Sequence, residues 1–255
     1  MMKKRGINFV ICILGFWFLT LGTCLAAPVG NPAGPVLLHG KYPTKFSLQT
    51  EVVLKRKLES GSAGQMRFSG TFYTGKVSLY LGEKLDIYGL VGVYDGKVKD
   101  FISTAFIIDS KMDAAMGLGA SYVLHEWEFA NGICRLGADA KYRQYEPDID
   151  TVKFYREATT VSDTAMTFKE WQLALGLAYQ YKNFIPYVGV KYSDVDAHIK
   201  FTQGTNDRTD NDIASDNTWG LFYGADVLVQ DNISVNIEGR HMDENAVNVG
   251  LNVRF

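Results

Sequence analysis

The sequence contains little cysteine and little histidine. Of its three cysteines, Cys12 and Cys24 fall within the first 27 residues, which leaves Cys134 alone in the rest of the chain. No disulfide can therefore form within the region after residue 27. The four histidines are scattered without the spacing of metal ligands. These shortages exclude a disulfide-stapled domain, and we expect neither a metal site nor a cofactor.

The chain also lacks a large charge of one sign and, after residue 27, any long apolar run. Its 26 Lys and Arg residues against 28 Asp and Glu residues give a formal net charge of −2, which argues against a nucleic-acid-binding protein. No later stretch reaches the roughly 18 consecutive apolar residues of a transmembrane helix. The first residues are different: three basic residues precede the mostly apolar residues 7–21, and small residues follow up to Ala26. This order predicts a secretory signal peptide over residues 1–26.

Beyond the signal segment, apolar and polar residues alternate, and a period of two predicts β-strands. In the last ten residues the apolar face carries Val247, Val249, Leu251, Val253 and Phe255. The same pattern predicts ten strands, over residues 46–58, 67–81, 85–98, 112–125, 133–145, 167–181, 185–200, 217–230, 233–242 and 246–255. These strands are longer than the five or six residues usual in soluble sheets.

The connections between the predicted strands alternate in length. Residues 82–84, 182–184 and 230–232 form tight turns, whereas residues 99–111, 146–166 and 201–216 are long and polar. Long alternating strands with one trimmed and one elaborated end are typical of outer-membrane β-barrels, because a sheet in hydrocarbon must close on itself. We predict an all-β chain that forms a single antiparallel transmembrane β-barrel of about ten strands in the bacterial outer membrane. Its predicted parts are the signal peptide 1–26, a periplasmic N-terminal segment 27–45 and the barrel 46–255.

The two faces of the predicted strands suggest two sets of residues. Charged side chains on the polar faces are expected to line the lumen as a pore or an ion-pair network: Arg135, Asp139, Lys141, Arg143, Lys191, Asp226, Glu238, Arg240 and Arg254, with Glu51, Lys55 and Asp86 beside them. Aromatic residues near strand ends are expected to form membrane girdles: Trp171, Tyr179, Tyr181, Tyr192, Trp219 and Phe255. A soluble up-and-down barrel would instead turn its apolar face inward, and the charges and glycines on the opposite face disfavour that alternative.

Several stretches resemble the chlamydial major outer-membrane protein family. They are residues 27–35 after the predicted cleavage site, residues 187–193, and the final hairpin over 234–240, 245–249 and 253–255. The resemblance implies a porin. Members of that family have larger barrels and many cysteines that cross-link chains, and this shorter sequence with Cys134 alone departs from both features.

The predicted function is passive, porin-like diffusion of small solutes or ions, without catalysis. Ten strands lie between the roughly eight whose interior side chains fill and the roughly 16 that leave a water channel, so a non-conducting structural or adhesin-like surface barrel is the alternative. The expected partners are outer-membrane lipid and lipopolysaccharide, and, in transit, periplasmic chaperones and the barrel-assembly machinery. No nucleic acid is expected, and a homo-oligomer is left open.

A remote alternative is an outer-membrane protease. Asp194, Asp196 and His198 alternate onto one face of a strand, and a histidine held by a carboxylate can act as a general base. The Asp-x-His spacing resembles that of the omptins, a family of ten-stranded outer-membrane proteases. A solvated rim of the barrel is the plainer interpretation of the same residues.

Overall fold

A computed structural model describes residues 28–34, 42–60, 64–100, 106–154, 157–159, 161–203 and 207–255. The predicted signal peptide lies outside these residues. No helix among them is both long enough and apolar enough to cross a membrane. The described strands are β1 (Thr44–Ser60), β2 (Gly64–Leu81), β3 (Leu85–Asp100), β4 (Phe106–Ser110), β5 (Asp113–Phe129), β6 (Gly132–Tyr145), β7 (Ile149–Phe154), β8 (Glu157–Thr159), β9 (Val161–Gln180), β10 (Phe184–Gln203), β11 (Asp207–Ser215), β12 (Trp219–Gln230), β13 (Ile233–His241) and β14 (Glu244–Arg254).

Ten of these strands form a closed antiparallel barrel. Each pairs with the next in the order β1, β2, β3, β5, β6, β9, β10, β12, β13 and β14, and β14 pairs back onto β1 from Lys45↔Arg254 to Arg56↔Glu244. Closure removes free sheet edges, which is the condition for a sheet to lie in hydrocarbon. The predicted ten-stranded barrel is therefore confirmed.

The four remaining strands lie in regions predicted as polar loops. β4 pairs with β3 and with β7, β7 pairs with β8, and β11 pairs with both β10 and β1. All four lie beyond one end of the barrel, which we call the outer end. The other end carries the tight turns at 82–84, 130–131, 182–183 and 231–232, and we call it the short-turn end.

The apolar face of the strands changes sides along their length. In the part of β9 nearer the short-turn end, Leu173, Leu175 and Leu177 face outward and are 41–57% exposed. Further toward the outer end of the same strand, Phe168 and Met166 point inward and are buried, while Lys169 faces out. The long strands thus turn apolar side chains to lipid at one height and enclose them at another.

The outward apolar region has the height of a membrane. On β9 it runs from Trp171, which is 63% exposed, to Tyr181 just after the strand. Ten residues at about 3.3 Å each span about 33 Å, and a strand tilt of about 40° reduces this to about 25 Å along the membrane normal. We call this region the membrane belt.

Beyond the belt, the outer ends of the long strands and β4, β7 and β11 enclose an apolar core, and we call this part the outer cap. β13 and β14 are short, with 9 and 11 residues, and they do not reach it. β11 replaces them by joining β10 directly to β1 through Leu58↔Ser215 and Glu59↔Ala214. The core contains a cluster of rings, in which Phe68 stacks on Tyr94 at 5.5 Å and Tyr145 on Phe168 at 4.8 Å between centroids.

The belt predicts unequal effects of a charge at two outward positions of β9. Leu175→Arg should lower the free energy of unfolding by about 2–4 kcal/mol, because it places a cation near the membrane midplane. Thr167→Arg, on the same face but in the outer cap, should change it by less than about 0.5 kcal/mol. Urea unfolding in lipid vesicles, followed by tryptophan fluorescence, measures both, and equal losses would contradict the assigned belt.

Candidate functional site in the barrel lumen

Ion pairs cross the lumen at mid-height. Arg56 on β1 donates to Glu170 on β9 at 2.8 Å, and these two strands lie on opposite sides of the ten-stranded ring. Arg143 on β6 donates to the other oxygen of Glu170 at 2.8 Å and to Glu51 at 3.0 Å. Arg240 on β13 donates to Glu51 at 2.9 Å. The result is a continuous chain of alternating charges, the ion-pair bridge, whose five residues are all buried.

A β-bulge places Arg56 in the bridge. The register of β1 shifts between Val53 and Arg56, so Leu54 faces out and Arg56 turns inward. Unbroken alternation predicts Lys55 at this inward position, and that prediction is wrong because a bulge inserts one residue into the count. Glu170 was missed as well, although it alternates with Trp171 and therefore faces the lumen. Its position one residue before the apolar run of β9 is a signal that could have identified it.

A second group of charges lies beside the bridge. The ammonium of Lys191 on β10 is 2.7 Å from a carboxylate oxygen of Asp243 and also contacts Glu244. Asp243 lies in the connection between β13 and β14, Glu244 is the first residue of β14, and both are buried. A short turn thus folds over the lumen and brings negative charge to a lysine that alternation alone leaves unpaired.

Residues 28–34 lie inside the barrel, between the ion-pair bridge and the short-turn end. The backbone N–H groups of Val29 and Gly30 donate to the two oxygens of Glu238 at 2.9 and 2.7 Å. The side chain of Asn31 donates to Asp226 at 3.0 Å, and the ammonium of Lys141 donates to the carbonyl of Pro28. This part of the predicted periplasmic segment therefore occupies the lumen itself, since its backbone donors find buried carboxylates there.

The structure places all nine predicted lumen residues on the inward face, where each is at most 7% exposed. Five of them take part in the bridge or contact residues 28–34. Arg143 and Arg240 belong to the bridge, whereas Lys141, Glu238 and Asp226 contact the segment. The other four have other partners: Lys191 has Asp243, Asp139 has the Tyr88 hydroxyl at 2.7 Å, Arg135 has Glu126 and Gln180, and Arg254 has Ser234.

The predicted girdle residues face outward at the two borders of the belt. At the outer border Trp219 packs edge-on against Tyr192 with centroids 5.7 Å apart, and Trp171 packs against Tyr142 at 4.8 Å. At the short-turn end the hydroxyl of Tyr179 donates to the carbonyl of Ala130 at 2.9 Å. Tyr181 and Phe255 lie at the same end and are 46% and 63% exposed.

Two small cavities flank the packed lumen. One of about 10 Å³ lies against Arg56, Arg143 and Glu170, and another of about 20 Å³ lies beside Pro28 and Lys76. Because a single water needs about 10–15 Å³, each holds one or two waters at most. The ring cluster, the bridge below it and residues 28–34 thus place protein atoms across the lumen at three heights.

Of the three residues that suggested a protease, His198 makes cross-strand contacts on the outer surface, whereas Asp194 and Asp196 are exposed. His198 on β10 is the register partner of Asp212 on β11, and its Nδ1 is 2.8 Å from that carboxylate. Its Nε2 is 3.3 Å from Asp210. Both imidazole nitrogens therefore face carboxylates of the neighbouring strand. Within the described part of the chain, no group of three or more His, Cys, Asp or Glu side chains is arranged to hold a metal ion.

One half-buried carboxylate in the outer cap has a displaced pKa. Asp109 on β4 is 2.8 Å from Lys97 on β3 and 3.1 Å from Lys153 on β7. Partial burial by itself raises the pKa of the Asp109 carboxyl, but the hydrogen bonds and charges of the two lysines outweigh burial and lower that pKa overall. The hydrogen bond and charge of Asp109 raise the pKa of Lys97 in return.

Closure, an outward apolar belt and enclosed charges define an outer-membrane β-barrel. The family described as Chlamydia major outer membrane protein matches residues 156–209. The major outer membrane porin of Chlamydia trachomatis serovar H is 24% identical over 268 residues, which cover 74% of this chain and 66% of the relative. The serovar A porin is 26% identical over 306 residues, covering 89% of this chain and 75% of the relative. The chain therefore resembles the chlamydial porins in a shortened form, as the sequence predicted.

A solved outer-membrane barrel agrees with the fold. The translocator domain of the autotransporter NalP from Neisseria meningitidis superposes with a TM-score of 0.50 at 11% identity, covering 97% of this chain and 98% of that one. The outer-membrane protease OmpT from Escherichia coli has a TM-score of 0.43 at 12% identity, covering 84% of this chain and 98% of that one. The names of the sequence relatives are those of porins rather than enzymes, and the predicted outer-membrane location is confirmed.

The ion-pair bridge makes Glu170 a sensitive position. Glu170→Gln should lower the free energy of unfolding by about 3–5 kcal/mol, because Arg56 and Arg143 would remain buried without their shared counter-charge. The control Lys169→Gln alters the exposed neighbour on β9 and should cost less than about 0.5 kcal/mol. Urea unfolding in vesicles compares the two, and a loss for Glu170→Gln as small as the control's would show that the bridge is not formed.

The outer cap should loosen in acid. Because the folded-state pKa of Asp109 lies below the unfolded value of about 3.9, its stabilisation is present above about pH 4 and is lost as the pH falls through the lowered pKa. Hydrogen exchange of β4 and β7 should therefore accelerate, relative to the belt strands, between about pH 5 and pH 2. In Asp109→Asn the two strands should exchange faster at pH 6 and show no such step; a step that persists there would assign the transition to another group.

Proposed function

We propose that the protein is a non-conducting structural barrel, which anchors the outer cap at the surface of the outer membrane. The ion-pair bridge carries this proposal, because Arg56 and Glu170 join opposite walls of the lumen at 2.8 Å. Both residues belong to paired strands rather than to a loop. A solute passing along the lumen would have to break buried ion pairs, each costly to separate when its partners cannot be solvated.

Two further barriers support the same conclusion. Residues 28–34 fill the lumen below the bridge, and the ring cluster fills the outer cap above it. Phe72 links the ring cluster to the bridge, because the guanidinium of Arg143 lies 3.9 Å from its ring centroid. Ten strands also enclose little more space than the roughly eight whose interior side chains fill completely.

Passive diffusion of small solutes or ions is the second candidate function. The names of the sequence relatives favour it, since they are porins. The lumen residues that would line such a pathway are Lys141, Arg143, Lys191, Asp226, Glu238 and Arg240. Conduction would require an open state in which the bridge, the ring cluster and residues 28–34 all move aside.

We further propose outer-membrane lipid as the partner of the belt, with the outward aromatic residues as its girdles. Trp171, Trp219 and Tyr192 support this at the outer border, because they lie where the exposed apolar face gives way to charged side chains such as Lys169 and Asp194. Amphipathic rings favour this height in a bilayer. Lipopolysaccharide, periplasmic chaperones, the assembly machinery and a homo-oligomer stay predictions.

Planar-bilayer recording separates the two functions. Purified, refolded protein should leave the bilayer at its leak current across about ±100 mV, because 100 mV supplies only about 2.3 kcal/mol for each elementary charge that crosses the membrane. Proteoliposomes should swell in small sugars no faster than protein-free vesicles. Heat-modifiable migration of the same preparation verifies that the barrel is folded. Reproducible conductance steps from folded protein would overturn the structural proposal and establish the pore.

A further inference from the structure

The lumen wall contains a row of glycines that forms a slot. Gly137, Gly176 and Gly189 are register partners on β6, β9 and β10. A Cβ on Gly137 would lie 2.4 Å from the carbonyl oxygen of Pro32, and one on Gly176 would lie 2.8 Å from the Pro32 ring. A Cβ on Gly189 would lie 2.4 Å from the Phe222 ring. Because glycine has no Cβ, another part of the chain can approach the wall this closely.

Two buried carboxylates lie on β12 and β13, the next two strands of the wall after the glycine row. Glu238, with no exposed surface, receives the N–H groups of Val29 and Gly30, one on each oxygen. Asp226 receives the amide of Asn31 and also that of Asn236 on the neighbouring strand at 2.8 Å. Hydrogen bonds to an ionised acceptor are the stronger kind, so these contacts select a ligand with consecutive free N–H groups.

The segment itself matches the slot. Asn31 accepts from the N–H of Ala33 at 3.0 Å, so the segment turns at Pro32 and presents that ring to the glycines. Val29 and Ala33 are 3% and 1% exposed and pack into a cluster with Ala174, Ala178 and Phe222. Residues 28–34 carry no charged side chain. An uncharged segment suits the slot, because the carboxylates that its backbone meets are already shared with lumen cations.

We propose that this slot is a peptide-binding site, whose resident ligand is the chain's own residues 28–34. It recognises a short uncharged peptide with two consecutive N–H donors followed by an Asn-Pro turn, and it accepts the same sequence as a separate peptide once the resident segment is displaced. The slot and the ion-pair bridge lie at different heights of the lumen, so occupancy of the slot can be measured separately from conduction.

Thiol labelling tests occupancy. In a Cys134→Ser background, Ala33→Cys places a thiol at the buried end of the segment, and Glu83→Cys places one in an exposed turn at the same end of the barrel. A maleimide should modify position 33 at least about 100-fold more slowly than position 83, since modification requires the segment to leave the slot. Equal rates in the folded protein would overturn the proposal while leaving the conductance result untouched.

Two variants test the recognition. Glu238→Gln combined with Asp226→Asn should speed modification of position 33 about 10-fold or more, because charge-assisted hydrogen bonds are replaced by weaker ones. Asp86→Asn is the matched control: it removes a buried lumen carboxylate that pairs with Lys45 at 3.7 Å, and the rate should stay within about 2-fold. Equal acceleration by both would overturn the assignment. Pro32→Asp changes only the segment, so it provides the same test if the wall variant fails to fold.

Binding of a separate peptide completes the test. Ala178→Cys places a thiol in the slot wall. Combined with Pro32→Asp, this thiol should become reactive, and a synthetic peptide of residues 28–34 should protect it again in a saturable manner. A peptide in which Asp replaces Pro32 is the control and should not protect. Failure of the native peptide to protect, with position 178 exposed, would refute a peptide-binding site.

Discussion

Each long strand of this barrel crosses from hydrocarbon into water, and the rest of the structure follows from that crossing. In hydrocarbon the outward face must be apolar and the sheet must close, because no solvent can satisfy its backbone. In water the same strand must turn charged residues outward and bury its apolar ones. The inversion between Trp171 and Phe168 on β9 marks the border. The closed ten-stranded belt and the apolar core of the outer cap are therefore formed by the same strands in two different surroundings.

The enclosed charges then determine whether the lumen is packed with ion pairs or filled with water. A narrow barrel with polar inward faces cannot leave its ions unpaired, since an isolated buried charge is costly. Arg56 and Glu170 reach each other only because opposite walls are close, and Arg143 and Glu51 extend the pairing around the ring. Width and closure are therefore linked. In a wider barrel the same side chains would be too short to meet and would face water instead.

Alternation in the sequence predicted the ten barrel strands, because a period of two is a local property of each strand. It also predicted which charged residues face inward, Glu238 and Lys191 among them. It missed β4, β7, β8 and β11, whose pairing depends on distant strands rather than on their own pattern. The prediction that Lys55 faces the lumen was wrong for a related reason. A bulge near Val53 adds one residue to the alternation of β1, and nothing in the sequence marks it. The partners of each charge were equally beyond reach, since Asp243 meets Lys191 only through the folded turn.

The inward glycines show why composition alone misjudges a lumen. Glycine on the inner face suggests empty space, as a pore would need. In the structure Gly137 and Gly176 face Pro32, and Gly189 faces Phe222, so the missing side chains make room for other atoms of the same chain. The volume that a glycine leaves is therefore not evidence of a channel until its occupant is known. Here the occupant is a segment far away in sequence, held by Glu238 and Asp226, and the space it fills is part of the packed interior.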